Sequence, residues 1–396
     1  MILESYQMIG GVHPETASIR NIFAYYGLKA PHTGETFSEP MLLGIGGGLG
    51  ACYILWEFEK HGFPSIVLAF RNKSNYPVKF LDNLCSRLGA TTQVFETAGK
   101  KKAAEQLEQV LATGDPAIVW LDLGGAPYYM HYLSIGVVVV YGIDGENVLI
   151  DSRSRKPYAI SPDLIVEARA KVPSFKNRIM VVEPTGSFDL EVAIREGLQD
   201  CVDYLGSTST SFALPSIRKW ARLMTDIKNQ KGWPTVFHDG RGLYGTLRTV
   251  YEAIEHIGTG GGGLRGMYAD FLDEAAPILD NSDLKSTATK YRALHDQWRV
   301  LANAALPDHI DVFKTTKELL DRQAAIILDQ GSDGLEEIKP LNNALHELKS
   351  ELNPSFPLSD SETSVLLADI QSHLHGIYLA EKEALAALQI AVDQPS

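Results

Sequence analysis

The sequence predicts an α+β domain over residues 1–184, followed by an all-helical domain over residues 185–396. Three observations carry this expectation. Helical and strand-like segments alternate as far as a β-hairpin spanning Ile135 to Asp151. From Leu190 onward the apolar residues recur at helical spacing. Hydrophobic residues make up 45% of a 396-residue chain, enough for a sizeable core spread over two or three domains.

Taken in order, the first segment is a helix beginning at Pro14, whose ring fits a first helical turn at no hydrogen-bond cost. Glu15 favours the positive end of that helix, Ile22, Phe23 and Tyr26 share a face, and Gly27 ends it. The run GIGGGLG at residues 44–50 reads as a backbone-thin loop lying beside the start of the helix, a common way to shape a pocket for a charged or thioester-bearing group. Its glycine spacing resembles a dinucleotide fingerprint, but it follows SEPMLL rather than a β-branched strand and no acid closes a βαβ unit. A plain packing loop is the alternative.

Ile54 to Lys60 is expected to be helical. Ser65 to Phe70 reads as a buried strand that delivers Arg71 to its end, and Tyr76 to Leu88 as a helix closed by Gly89. A strand at Thr91 to Glu96, a helix at Lys100 to Ala112 and a strand at Ala117 to Leu121 follow. The loop GGAPYYMHYLS then carries Tyr129 and His131. Two strands, IGVVVVY and VLID, are joined through Asp144-Gly145, a favoured hairpin turn, and the second ends at Asp151. Beyond them, amphipathic helical runs are expected at 190–204, 215–230, 242–257, 264–280, 283–304, 308–329 and 361–392. GTGGGG at 258–263 enters one of these helices, where its amides and Arg265 could hold an anion unless the segment is only a linker.

A net charge of −13 and a pI near 5.3 argue against nucleic acid or an anionic membrane as partner, since both require a basic face. Cys52, Cys85 and Cys201 are too far apart for a metal knuckle and leave one unpaired in any disulfide scheme, which favours the cytoplasm. The first residues lack the basic cluster of a signal peptide, and no apolar run is long enough to span a bilayer. No HExxH spacing supports a metal. The acid/base candidates are His13, Glu15, Glu39, His131 and Asp151. Each taken singly is more often a cap or a surface ring than a catalyst.

The segments GGVHPETASIRNIFAYYGL and FSEPMLLGIGGGLGACY resemble the N-terminal domain of butirosin biosynthesis protein H and its relatives. FRNKSNYPVKFLDNLCSRLGATTQVFET, GDPAIVWLDLGGAPYY and GVVVVYGIDGENVLIDSRSRKPYAIS continue in that family's order, and IEHIGTGGGGLRGMYADFLDEAA is similar to the helical domain fused behind it. The resemblance runs to about residue 305. It implies a papain-like fold and transfer of an aminoacyl group from a carrier protein to an amine. It also implies a Cys after the first histidine, a His opening the strand before VVVYG, and an Asp ending the next strand. Here Pro14 stands at the first position, Gly136 or a neighbour at the second, and Asp151 at the third. Proline has no nucleophilic atom. Cys52 approaching the vacated site, or His131 swinging in as base, are the conceivable replacements.

The expectation is therefore an antibiotic-biosynthesis enzyme acting on an aminoacyl intermediate tethered to an acyl or peptidyl carrier protein. Its chemistry would be non-covalent, such as amine displacement closing a small aza ring. Glu15, Asp151 and His131 would supply the base, and His13, Glu39, Arg71, Tyr129 and Arg153 would bind substrate, with Arg155 a further cation for the leaving anion. No metal or cofactor is expected beyond a phosphopantetheine arm on the substrate. Two alternatives stay open: the family's aminoacyl transfer, and a non-catalytic partner in a complex with a second subunit or as a homodimer.

Overall fold

The structure, a computed structural model, describes residues 1–56, 62–124 and 135–394. In chain order the elements begin with α1 (Pro14–Tyr25), α2 (Glu39–Ile45), β1 (Leu49–Trp56), β2 (Ser65–Arg71), α3 (Pro77–Arg87), β3 (Ala90–Phe95), α4 (Lys100–Ala112) and β4 (Ala117–Asp122). They continue with β5 (Ile135–Ile143), β6 (Val148–Asp151), β7 (Tyr158–Ile160), α5 (Pro162–Ala170) and β8 (Ile179–Pro184). Helices α6 (Leu190–Gly206), α7 (Leu214–Leu223), α8 (Trp233–Val236), α9 (Leu243–Glu255) and α10 (Arg265–Ile278) come next. The last are α11 (Ser282–Ala305), α12 (Asp311–Gln330), α13 (Leu335–Leu352) and α14 (Asp360–Val392). The fold class is α+β in a sheet-bearing N-terminal part, followed by an all-helical C-terminal region.

By contacts the chain divides into two compact units. The first comprises Met1–Leu42, Leu81–Ala193 and Arg322–Asn342; the second comprises Leu43–Phe80, Ile194–Asp321 and Asn343–Ser396.

The first unit holds a six-stranded sheet in the order β3-β8-β4-β5-β6-β7, with every neighbouring pair antiparallel. Its middle strands carry β-branched residues on both faces, and Val137 to Val140 are all buried, as expected of a strand covered on two sides. Helix α1 packs against β5, and α5 against β4. Ala17, Ile19, Ile22 and Phe23 of α1 are buried, while Tyr26 reaches out to Asp115 with its hydroxyl donating at 2.6 Å.

The second unit contains the antiparallel β1–β2 pair and a helical assembly in which α11 packs on α9, α10 and α14. Its core includes Trp298 and Tyr291 from α11 and Tyr268 from α10.

Two expectations about elements are corrected. Ile54 begins no helix, because β1 runs from Leu49 to Trp56 and pairs Tyr53 with Leu68 and Leu55 with Ile66; residues 57–61 lie outside the described part. A short, wholly apolar run such as ACYILW has no polar face to reveal its period, so its type is set by its partner strand. The run at 215–230 is helical only to Leu223, after which Asp226 accepts from the Lys228 amide in a side-chain-stabilised turn. Strands β7 and β8 and helices α2, α5, α8 and α13 lie beyond the expected elements; in α13, Pro340 interrupts the pattern from inside.

Candidate functional site

The start of α1 is organised by side chains rather than by glycine. His13 is the N-cap, its Nδ1 lying 3.4 Å from the Thr16 amide and 3.3 Å from the Thr16 hydroxyl, contacts that suit the tautomer with its proton on Nε2. Nε2 lies 3.3 Å from Oε2 of Glu15, and both side chains are largely buried, at 7% and 14% exposure. Pro14 sits between them as the first helical residue, where its missing amide costs nothing.

Glu39, in the first turn of α2, holds the approach to that helix. Its Oε2 accepts from the Val12 amide at 2.8 Å, and its Oε1 accepts from the His13 amide and the Thr16 hydroxyl, each at 3.0 Å. Arg20 lies 3.9 Å from Oε2 and donates to the Gly10 carbonyl at 2.6 Å, while Arg153 donates to the Val12 carbonyl at 2.7 Å. The segment Gly10 to His13 is thereby clamped at Gly10 O, Val12 N, Val12 O and His13 N. Charged partners make such hydrogen bonds stronger than neutral ones.

Asp151 closes β6 and is buried. Its Oδ2 accepts from the Tyr6 hydroxyl at 2.9 Å and from the Asn21 amide at 2.5 Å, and its Oδ1 accepts from the Arg153 amide at 3.1 Å. Burial pushes its pKa above the usual carboxylate value despite these donors. The last bond holds Arg153 in a left-handed backbone conformation, φ 68°, that a residue with a Cβ rarely adopts. Tyr6 also stacks on Tyr141 of β5, with ring centroids 4.9 Å apart.

The geometry thus brings His13, Glu15 and Glu39 together at the start of α1, and links Arg153 to that start through Val12. Asp151 meets α1 at Asn21, six residues and about 9 Å along the helix from Glu15. Its cross-strand partner is Val139, so the positions of β5 on its face are Val139 and Val137, and Gly136 lies on the opposite face. A base at Gly136 would therefore have faced away from Asp151. His131 and Tyr129 lie outside the described residues.

Arg71 belongs to the second unit and is buried there, its Nη1 donating to the Asn72 carbonyl at 2.7 Å and its guanidinium 4.2 Å above the Phe80 ring. The glycine segment lies in that unit too. A Cβ at Gly44 would stand 2.3 Å from the Phe271 ring and one at Gly48 2.5 Å from Tyr268, so the segment is thin because α10 packs on it. Arg265 is likewise engaged: it donates to Glu381 at 2.7 Å and to the carbonyls of Gly263 and Gly50, fully buried, which corrects the expectation that it serves an anion at the GTGGGG turn. Cys52 lies in β1 and is buried, and desolvation pushes its thiol up to about 12, so it carries no thiolate at neutral pH.

Sequence reasoning passed over Tyr6, Thr16, Arg20 and Asn21. Asn21 left a faint signal, a polar side chain between the buried Ile19 and Ile22 and Phe23. Tyr6 left none. Among the described residues no group of three or more metal-type side chains converges, and no helix is long and apolar enough to cross a membrane.

Fold and site together define a papain-like α+β domain whose first helix opens on His-Pro-Glu and contains no cysteine. Residues 13–152 match the family model described as Butirosin biosynthesis protein H, N-terminal, and residues 166–329 match a domain of unknown function (DUF4872). The two matches make the chain similar, over these segments, to the butirosin biosynthesis protein H-like family. A comparison with curated proteins gives no match.

Proposed function

We propose that this chain is an antibiotic-biosynthesis enzyme that acts on a carrier-tethered aminoacyl intermediate by proton transfer instead of by covalent acyl transfer. The observation that carries the reading is the His13–Glu15 pair, 3.3 Å apart at the mouth of α1, where the family resemblance calls for a thiol and Pro14 offers none. With its ring proton on Nε2, the tautomer that the Thr16 amide contact suits, His13 orients the Glu15 carboxylate, the arrangement of a base and its positioning residue. Glu15 takes a proton from the substrate amine. The nitrogen lone pair forms a C–N bond, the bond to the leaving group breaks, and that group departs as an anion. Alignment supplies most of the remaining barrier reduction, since the displacement is intramolecular.

In this reading Asp151 and Glu39 serve as holding groups, because their oxygens are already taken by internal donors. That same observation favours a second reading, a catalytically silent partner that keeps the domain's shape and binds the carrier. Incubation with an aminoacyl thioester loaded on a carrier protein, followed by mass measurement of the carrier and of released products, separates the cases. Loss of the leaving group supports the proposal, transfer of the aminoacyl group to an amine supports the family's reaction, and an unchanged carrier supports the silent partner.

A further inference from the structure

The second unit carries a cluster of positive charge that the N-terminal chemistry does not use. Helix α7 presents Arg218, Lys219 and Arg222 within five residues, in a protein whose net charge is −13. Among the described residues none of the three has an ion-pair partner, in contrast to Arg292 of the same unit, which is paired with Asp270 and Asp273. Like charges at i and i+4 repel, so Arg218 and Arg222 carry a mutual cost that no ion pair among the described residues offsets.

The three cations line one cleft of about 920 Å³, together with Thr210 and, from α14, Gln371, Ser372 and His375. The walls are fixed. Gln371 donates to the Ala221 carbonyl at 2.9 Å and to the Thr225 hydroxyl at 2.8 Å, tying α14 to α7, and the Lys219 ammonium lies 5.4 Å over the Tyr53 ring. Burial, with the nearby charges of Lys231 and Arg222, pulls the Lys219 pKa below the usual lysine value. A cleft of this size with guanidinium, ammonium and hydroxyl donors, and no carboxylate among its described lining residues, suits a multiply charged oxyanion.

We propose that the α7–α14 cleft binds a phosphoryl group, with Arg218 and Arg222 clasping its oxygens and Lys219 lying beneath them. The source of the phosphoryl group is either a soluble phosphate ester or a lipid headgroup. Isothermal titration of the full chain with inorganic pyrophosphate at low ionic strength tests the first, and co-sedimentation with phosphatidylglycerol vesicles tests the second. The expected result is saturable binding that weakens about tenfold for each of Arg218→Gln and Arg222→Gln. Lys219→Gln should weaken it as well, and Arg292→Gln should leave it unchanged. Arg218 and Arg222 are exposed, so both variants should keep the parental melting temperature. Binding to vesicles alone, lost in the same variants, keeps the assignment and makes a headgroup the source. No saturable binding of either probe, or parental affinity in the Arg218→Gln/Arg222→Gln double variant, overturns it.

Discussion

Asn21 in the middle of α1 donates to Asp151 at the end of β6 across 130 residues of chain, at 2.5 Å, and the Tyr6 hydroxyl donates to the same oxygen at 2.9 Å. The carboxylate that the family resemblance offers as the last member of a catalytic set therefore joins helix to sheet. Three donors converge on it while burial opposes its charge, and burial wins.

The pH dependence of stability follows from that balance. Below the ordinary aspartate value of 3.8 the group is neutral in both folded and unfolded chains and contributes no difference. As pH rises past that value the unfolded chain ionises freely and the folded one resists. Asp151 thus subtracts stability progressively up to its folded pKa, and by a constant amount above it. Asp151→Asn should remove this decline while leaving one of the three donors facing an amide. Urea unfolding of both proteins at several pH values between about 4 and 7 should show a flatter curve for the variant. Parallel curves would mean that Asp151 is charged in the folded state without penalty.

Glu39 should behave as a structural clamp. In Glu39→Gln one oxygen becomes an NH₂ group that must face either the Val12 amide or the pair formed by the His13 amide and Thr16 hydroxyl. Leaving a buried donor unmatched costs about 1–3 kcal/mol. Chemical denaturation reads that loss, and proteolysis should open the chain near residues 10–13 before the sheet unfolds. An unchanged denaturation midpoint would show that the clamp contributes nothing.

The cysteines should be inert in the folded protein. Cys52, Cys85 and Cys201 are all buried, and desolvation raises each thiol, Cys52 to about 12 and Cys201 to about 11. Iodoacetamide at neutral pH should leave the native mass unchanged and modify all three after unfolding. Stoichiometric labelling of one native cysteine, blocked by substrate, would restore covalent catalysis as the mechanism.

Much of the first unit was legible because its signals are local. The Pro14 helix with its Gly27 stop, the Lys100–Ala112 helix and the Asp144-Gly145 hairpin each announce themselves through caps, turns or period. β1 was not legible, since ACYILW takes its extended form from pairing with β2. β8 lies between β3 and β4 although both precede it in sequence, an insertion that no local pattern encodes. At the site, His13, Glu15 and Glu39 stood out by residue type, whereas their roles depended on geometry. Glu39 became a clamp because α2 presents it to the amides of Val12 and His13, and Asp151 became a joint because Tyr6 and Asn21 reach it. Arg265 looked like an anion ligand beside a glycine run until Glu381, 116 residues later, occupied its guanidinium.

The last prediction separates the residue that would move a proton from the one that would hold it. If Glu15 is the base and His13 its positioning residue, Glu15→Gln should lower the rate of ring closure by about a hundredfold to ten-thousandfold, the usual worth of a general base, or roughly 3–5 kcal/mol of barrier. His13→Asn keeps a side chain able to cap α1 through the Thr16 amide but removes the ring proton that reaches Glu15. It should therefore lower kcat by less than Glu15→Gln and alter the pH profile, while the melting temperature stays near the parental value. Asp151→Asn should affect stability more than rate, because its oxygens meet Tyr6, Asn21 and Arg153 and reach α1 at Asn21, six residues along the helix from Glu15. Measured on a carrier-loaded substrate with melting temperatures recorded in parallel, this order of effects is specific to the assignment. Parental turnover by Glu15→Gln, with a matching pH profile, would remove the base from α1 and leave the silent-partner reading as the better account of the chain.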